Sequence, residues 1–185
     1  PHPTPELVEL EQQFASLQTA GVHHEADAQR LAKLGTDANN ITVTGNMKFD
    51  GAFEAHADAV DARALMRKLG VADNAPVLVA GSTFEGEEIL LAELLPQWRE
   101  AFPDLFLVLV PRHFERAGAV LEQLKSTKLI VARRTAMEAA PENPDVLLVD
   151  STGELKSFFA VATVVFMGKS LTAQGGQNPI EPAGL

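Results

Sequence analysis

The spacing of apolar side chains changes character along this chain. Leu7, Leu10, Phe14 and Leu17 recur at helical intervals. Thr4-Pro5-Glu6 ahead of them has the order of a helix start: a capping residue, proline at the first position, then an acid. A second helix is predicted over residues 25–34, ending at Gly35. Ile41-Thr42-Val43-Thr44 reads as a short β-branched strand, stopped by Gly45-Asn46. Residues 57–69 read as helix, with Gly70 as the stop. From residue 76 the pattern becomes regular. Apolar runs at 76–80, 105–110, 129–132, 146–149 and 164–167 alternate with helical patterns at 85–102, 115–124 and 153–162. Strands that are apolar at every position are buried on both faces, which is the mark of a parallel sheet. The predicted fold class is therefore α/β, a doubly wound, mainly parallel sheet.

Ligands of such sheets bind at the carboxyl ends of the strands. Every motif with chemical potential lies at such an end. Gly81-Ser82-Thr83-Phe84-Glu85 joins strand to helix, with Ser82 and Glu85 spaced as a capping box. Its amides are also placed to cradle a phosphate. Pro111-Arg112-His113 offers a guanidinium fork to a phosphate or a planar base, or an ion pair to Glu115. Asp150-Ser151-Thr152-Gly153-Glu154 is again strand, turn and helix start, with Glu154 either a helix cap or a ligand group. Gly175-Gly176-Gln177-Asn178-Pro179-Ile180-Glu181-Pro182 combines paired glycines with Asn178 as N-cap and Pro179 as first helical residue. Glu181 then stands where a carboxylate either completes a cap or accepts two hydrogen bonds from a ribose diol. Lys48, in the turn after the first short strand, either pairs with Asp50 or neutralises a leaving phosphate. Arg133-Arg134 reads as a solvated strand end, with an anion clamp as the other reading.

Composition narrows the options. At 185 residues and 46% apolar, the chain supports one large domain, or a domain with an arm. It has no cysteine, which removes disulfides, Cys-based zinc sites and a Cys nucleophile. A formal charge of −10 argues against a general nucleic-acid or phospholipid surface. An anion must then be held by local cations or amide groups. No Walker A, GxGxxG or HExxH sequence occurs, and His23-His24 are adjacent rather than one turn apart, so no metal site is expected. The final residues 181–185 read as the first turn of a longer helix, and the whole as a piece of a larger protein.

In order, GNMKFD (45–50), VLVAGSTFEGEE (77–88), PRHFER (111–116), VDSTGEL (149–155), FMGKSL (166–171) and GGQNPIEP (175–182) resemble the 3-deoxy-D-manno-octulosonic acid (Kdo) transferases. The resemblance implies the Rossmann-like, nucleotide-binding C-terminal lobe of a two-lobed GT-B glycosyltransferase, truncated at its end. Residues 1–40 would be a helical lead-in from the end of the N-terminal lobe, and 41–185 the incomplete donor lobe. The implied reaction is inverting, metal- and cofactor-free transfer of Kdo from CMP-Kdo to a lipid A precursor in lipopolysaccharide synthesis. The partners would be the nucleotide-sugar donor and, through the N-terminal lobe, the acceptor and the cytoplasmic face of the bacterial inner membrane. Lys48 would stabilise transition-state charge. Pro111, Arg112, Thr152, Gly153, Glu154, Asn178, Pro179, Ile180 and Glu181 would bind CMP. The sequence departs from the family pattern at Phe84, Phe114, Thr152, Lys169 and Gln177. A GT-B enzyme using a UDP-sugar and a non-catalytic nucleotide-binding module are the competing readings. The isolated chain is expected not to catalyse transfer.

Overall fold

A computed structural model describes residues 5–45, 60–172 and 175–184, and the chain divides into two compact units, Pro1–Glu54 and Ala55–Leu185. In the first unit, helices Pro5–Ala15 and Glu25–Lys33 accompany a parallel pair of three-residue strands, β1 (Ala20–Val22) and β2 (Ile41–Val43). The β-branched run at 41–43 is thus a strand, as its composition suggests. Its partner β1 has a glycine at its centre and no alternation to mark it. The predicted helix at 57–69 is described from Ala62 to Lys68, begins on the Asp61 side chain, and lies partly outside the described residues at its start.

The second unit holds a five-stranded parallel sheet in the order β5-β6-β4-β3-β7. The strands are β3 (Val77–Thr83), β4 (Phe106–Pro111), β5 (Val131–Arg133), β6 (Val146–Leu148) and β7 (Val164–Met167). The alternation of side chains sorts their apolar residues into two cores. Val77 and Val79 join Phe106, Val108, Leu147 and Phe158 on one face. Leu78 and Ala80 join Leu107, Leu109, Leu91 and Leu95 on the other. Helices Ala62–Lys68 and Leu155–Phe159 cover the first face, and Glu87–Trp98 and Ala117–Leu124 the second. This is the doubly wound arrangement that the uninterrupted apolar strands predict.

One expectation fails at the end of β3. Gly81-Ser82-Thr83 does not join strand to helix but forms the last part of the strand, and the Ser82–Glu85 capping box does not form. The register with β4 slips between Gly81 and Thr83, so that Ser82 is an extra, bulged residue at φ 53°. The helix begins later, at Glu87, with Gly86 as its N-cap. The reason is a carboxylate two residues further on. Glu87 is fully buried, and its two oxygens accept from the backbone N–H of Phe84 (2.8 Å), Lys169 (2.9 Å), Ser170 (2.8 Å) and Leu171 (3.0 Å). It therefore joins the loop after β3 to the loop after β7. Gly168 completes the joint: a Cβ there would lie 2.0 Å from the Ser82 carbonyl oxygen, so only glycine allows the two backbones to meet. Next to it, Glu88 is equally buried, accepting from the Thr83 hydroxyl at 2.8 Å and from Arg116 at 3.1 Å.

Burial alone raises the Glu87 carboxyl, but the hydrogen bonds from Leu171, Phe84, Lys169 and Ser170 outweigh it and hold the group below the ordinary carboxylate range. A carboxyl depressed in the native state stabilises the fold fully above its unfolded pKa, about 4.3. That contribution declines as pH falls below this value and is gone once pH passes the native one. Glu87→Gln is expected to cost about 2–4 kcal/mol in urea unfolding at neutral pH. It is also expected to flatten the loss of stability below pH ~4.3. Identical acid limbs in the two proteins would reject the clamp.

Candidate functional site

The carboxyl ends of β3, β4 and β6 enclose a cavity of ≈ 240 Å³. Ser82 reaches it from the bulge of β3, Val110, Pro111 and Arg112 from the end of β4, and residues 151–155 from the loop after β6. The chain leaves β3 for the helix on one face and β6 for the helix on the other, so a crevice opens between the two departures. Pro111, Arg112, Thr152, Gly153 and Glu154 all line this one cavity. The Arg112 side chain is exposed at its rim, while its backbone N–H donates to the Thr83 carbonyl at 3.0 Å.

The loop after β6 is held from behind by the two consecutive arginines. Arg133 donates from Nε (2.9 Å) and Nη2 (2.6 Å) to the buried Asp150 carboxylate. Asp150 also accepts from the Thr135 backbone N–H at 2.9 Å and the Thr135 hydroxyl at 2.6 Å. Burial raises the Asp150 carboxyl, and the bonds from Thr135 and Arg133 overcome this and leave it below the usual range. Arg134 Nε donates to Glu154 Oε2 at 2.7 Å. The expectation of a solvated strand end holds only in part: Arg133 stays exposed, but neither arginine is left to solvent alone. Both guanidinium groups grip carboxylates of the cavity loop, because β5 lies beside β6 and their ends are in register. Glu154 makes no side-chain cap at the helix it precedes. Its carboxylate is aimed by Arg134 instead.

Beyond β7, Gly175 (φ 98°) and Gly176 (φ 60°) both adopt the left-handed region, where a side chain is strained. Asn178 Oδ1 accepts from the Ile180 N–H at 3.1 Å, the capping role its position suggests. The helix Ile180–Ala183 starts one residue later than Pro179 and packs against helix Leu155–Phe159. Asn178, Pro179 and Ile180 stand outside the lining of the cavity. The Glu181 side chain and Lys48 lie outside the described residues. His113 meets Phe84 edge to face at 6.4 Å, and Lys169 Nζ stands 5.9 Å from the same ring. Four of the family departures noted in the sequence fall in these loops: Phe84 and Lys169 in contact with each other, and Phe114 and Thr152 in the cavity wall. Among the described residues no group of three or more His, Cys, Asp or Glu converges on a metal position.

A larger cavity of ≈ 440 Å³ lies elsewhere, between the amino end of β3, β7 and the aromatic rings of Trp98 and Phe102. Its lining is almost wholly apolar, and it has no group suited to a charged ligand. Sequence reasoning missed Ser82 and Ser151 as cavity residues. A β-bulge leaves no periodic signal, and Ser151 drew no role of its own within its motif.

Comparison with known proteins places this geometry. A family model described as 3-Deoxy-D-manno-octulosonic-acid transferase (kdotransferase) matches residues 9–51, wholly within the first unit. The 3-deoxy-D-manno-octulosonic acid transferase of Bordetella pertussis is 37% identical over 93% of this chain and 40% of its own length. That of Haemophilus influenzae is 32% identical over 94% of this chain and 40% of its own. The chain belongs to the Kdo transferase family. It spans about 40% of the length of these curated relatives. Among solved structures, the C-terminal CMP-Kdo binding domain of WaaA from Acinetobacter baumannii is similar, at 32% identity and TM-score 0.55. That match covers 74% of this chain and 66% of the other. The second unit thus has the doubly wound architecture of the C-terminal lobe in Kdo transferases of GT-B type. The shared sheet accounts for why the ordered motifs fall at strand ends.

Arg134 and Glu154 are each mostly shielded from solvent, so their pair is worth more than a surface ion pair. A double-mutant cycle on Arg134→Ala and Glu154→Gln, read by urea unfolding, is expected to give a coupling of about 1–2 kcal/mol. Additive effects would show that Arg134 does not hold Glu154.

Proposed function

We propose that this chain is the donor-binding part of an enzyme that transfers Kdo from CMP-Kdo to a lipid A precursor in lipopolysaccharide synthesis. The observation that carries this reading is the single cavity shared by the ends of β3, β4 and β6, with Pro111, Arg112, Thr152, Gly153 and Glu154 in its wall. Separate loops at strand ends gather around one cavity, and the solved relative at 32% identity is a CMP-Kdo binding domain.

In this reading Pro111 and Arg112 contact CMP, and Thr152, Gly153 and Glu154 line the nucleotide. Asn178, Pro179, Ile180 and Glu181 hold its ribose and phosphate side. The glycosidic bond to the CMP phosphate breaks as an acceptor hydroxyl, losing its proton to a carboxylate of the N-terminal lobe, attacks the sugar from the opposite face, which inverts the anomeric centre. CMP departs with added negative charge, and a chain of net charge −10 offers no general attraction for it. Local cations must supply the stabilisation, and Lys48 and Arg112 are the residues assigned to it. No metal or cofactor takes part in this scheme. Among the described residues no helix is long and apolar enough to cross a membrane. The acceptor site, and the attachment to the inner face of the bacterial inner membrane, belong to the N-terminal lobe of the full-length enzyme.

Calorimetric titration is expected to show CMP binding, with UMP at least about tenfold weaker. Arg112→Ala is expected to weaken CMP by roughly 10- to 100-fold, the loss of a charge-assisted hydrogen bond. Absence of CMP binding, or equal affinity for UMP, would overturn the donor assignment. In the full-length enzyme Lys48→Ala is expected to lower the transfer rate by about 100-fold or more, with CMP affinity changed only a few-fold. Transfer at the wild-type rate would remove Lys48 from the mechanism.

A further inference from the structure

The loop after β7 presents a cation that the fold does not use. Lys169 is held at φ 65°, in the left-handed region that glycine adopts freely and a residue with a side chain does not. The Glu87 clamp fixes it there, since the Lys169 N–H donates to Glu87 Oε2 at 2.9 Å. Its ammonium stands 5.9 Å from the centre of the Phe84 ring, within cation–π range. Phe84 in turn meets His113, the neighbour of Arg112, so the loops after β7, β3 and β4 touch in series. A Cβ on Gly175 would lie 3.9 Å from Lys169 Nζ, so bare glycine backbone also runs beside the ammonium. Lys169 forms no ion pair among the described residues. Arg99, Arg116, Arg133 and Arg134, by contrast, each meet a carboxylate. A ring attracts a cation without neutralising it, so the charge of Lys169 stays available to an anion. Strained backbone that carries a positioned, unneutralised charge serves a ligand contact rather than fold stability.

The donor assigned above carries two anions, the phosphate of CMP and the carboxylate of the sugar acid. Both sit on the anomeric carbon, one as leaving group and one as substituent. A chain of net charge −10 must meet each with a local cation. Arg112 lines the cavity at the ends of β3, β4 and β6 and is assigned to CMP. Lys169 lies outside that lining, past the end of β3, because β7 pairs with β3 on the side away from β4. Neighbouring strands are about 4.8 Å apart, so the ends of β4 and β7 are separated by roughly 10 Å. Two long side chains approaching from either side of β3 close such a gap on a single carbon. We propose that Lys169 binds the carboxylate of the sugar acid, and so distinguishes a CMP-linked sugar acid from CMP alone. This rests on the donor reading above and adds the residue that recognises the sugar.

Lys169→Gly removes the cation together with the backbone strain, and Lys169→Arg keeps the charge. Titrations on the full chain are made without acceptor, so that the donor is not consumed. Lys169→Gly is expected to weaken CMP-Kdo by roughly fivefold to thirtyfold and CMP by less than about twofold, with a thermal midpoint equal to or above wild type. Lys169→Arg is expected to hold CMP-Kdo within about threefold of wild type. In the full-length enzyme the loss in Lys169→Gly is expected in the KM for CMP-Kdo more than in kcat. Equal losses for CMP and CMP-Kdo would overturn the proposal by placing Lys169 on the phosphate. Wild-type affinity for CMP-Kdo in Lys169→Gly would overturn it while leaving the donor assignment intact. A lowered thermal midpoint with the preference for CMP-Kdo over CMP unchanged would overturn it as well, assigning the ammonium to the fold. Failure of the wild-type chain to bind CMP would overturn both readings.

Discussion

Glu87 places a fully buried carboxylate against four backbone N–H groups from two loops that are more than eighty residues apart in sequence. A charge so enclosed is tolerable only because each oxygen is fully engaged. The clamp delays the start of the Glu87–Trp98 helix and brings Phe84 and Lys169 together. Together with Gly168, which lets the chain lie against the Ser82 carbonyl, it locks the β-bulge. The candidate site inherits its shape from this joint.

On the other side of the cavity the same principle recurs with different chemistry. Asp150 is held by Arg133 and Thr135, and Glu154 by Arg134. These pairs lie behind the loop and leave its inner surface, from Ser151 to Gly153, free to form a wall. An acidic chain thus spends two of its cations on its own carboxylates at the site. What remains for an anionic ligand among the cavity residues is Arg112. This division favours a ligand whose buried part is uncharged and whose charged part stays near solvent.

Much of the fold was legible in the sequence because burial on both faces leaves a direct mark. Runs such as those at 76–80 and 105–110 have no polar position, and only a covered parallel sheet accommodates that. The site was legible more coarsely. Pro111, Arg112 and Thr152–Glu154 could be chosen because parallel strands present their following loops to ligands. That rule points to strand ends but not to the direction of a side chain. It therefore missed the partners of Arg133 and Arg134, and it read Gly81-Ser82-Thr83 as part of the strand-to-helix junction. Ser82 and Glu85 have capping-box spacing, and nothing local reveals that a distant loop would claim Glu87 instead.

The sequence by itself determined the alternation of strands and helices, the winding of helices over both faces, and the family to which the chain belongs. These follow from periodicity and from motifs in a fixed order, which are properties of neighbouring residues. Only the tertiary structure decided the bulge at Ser82, the burial of Glu87 and the convergence of three strand ends on one cavity. Those features are contacts between segments far apart in the chain. Their energy lies in matching donors to acceptors across that distance, and no local pattern records it.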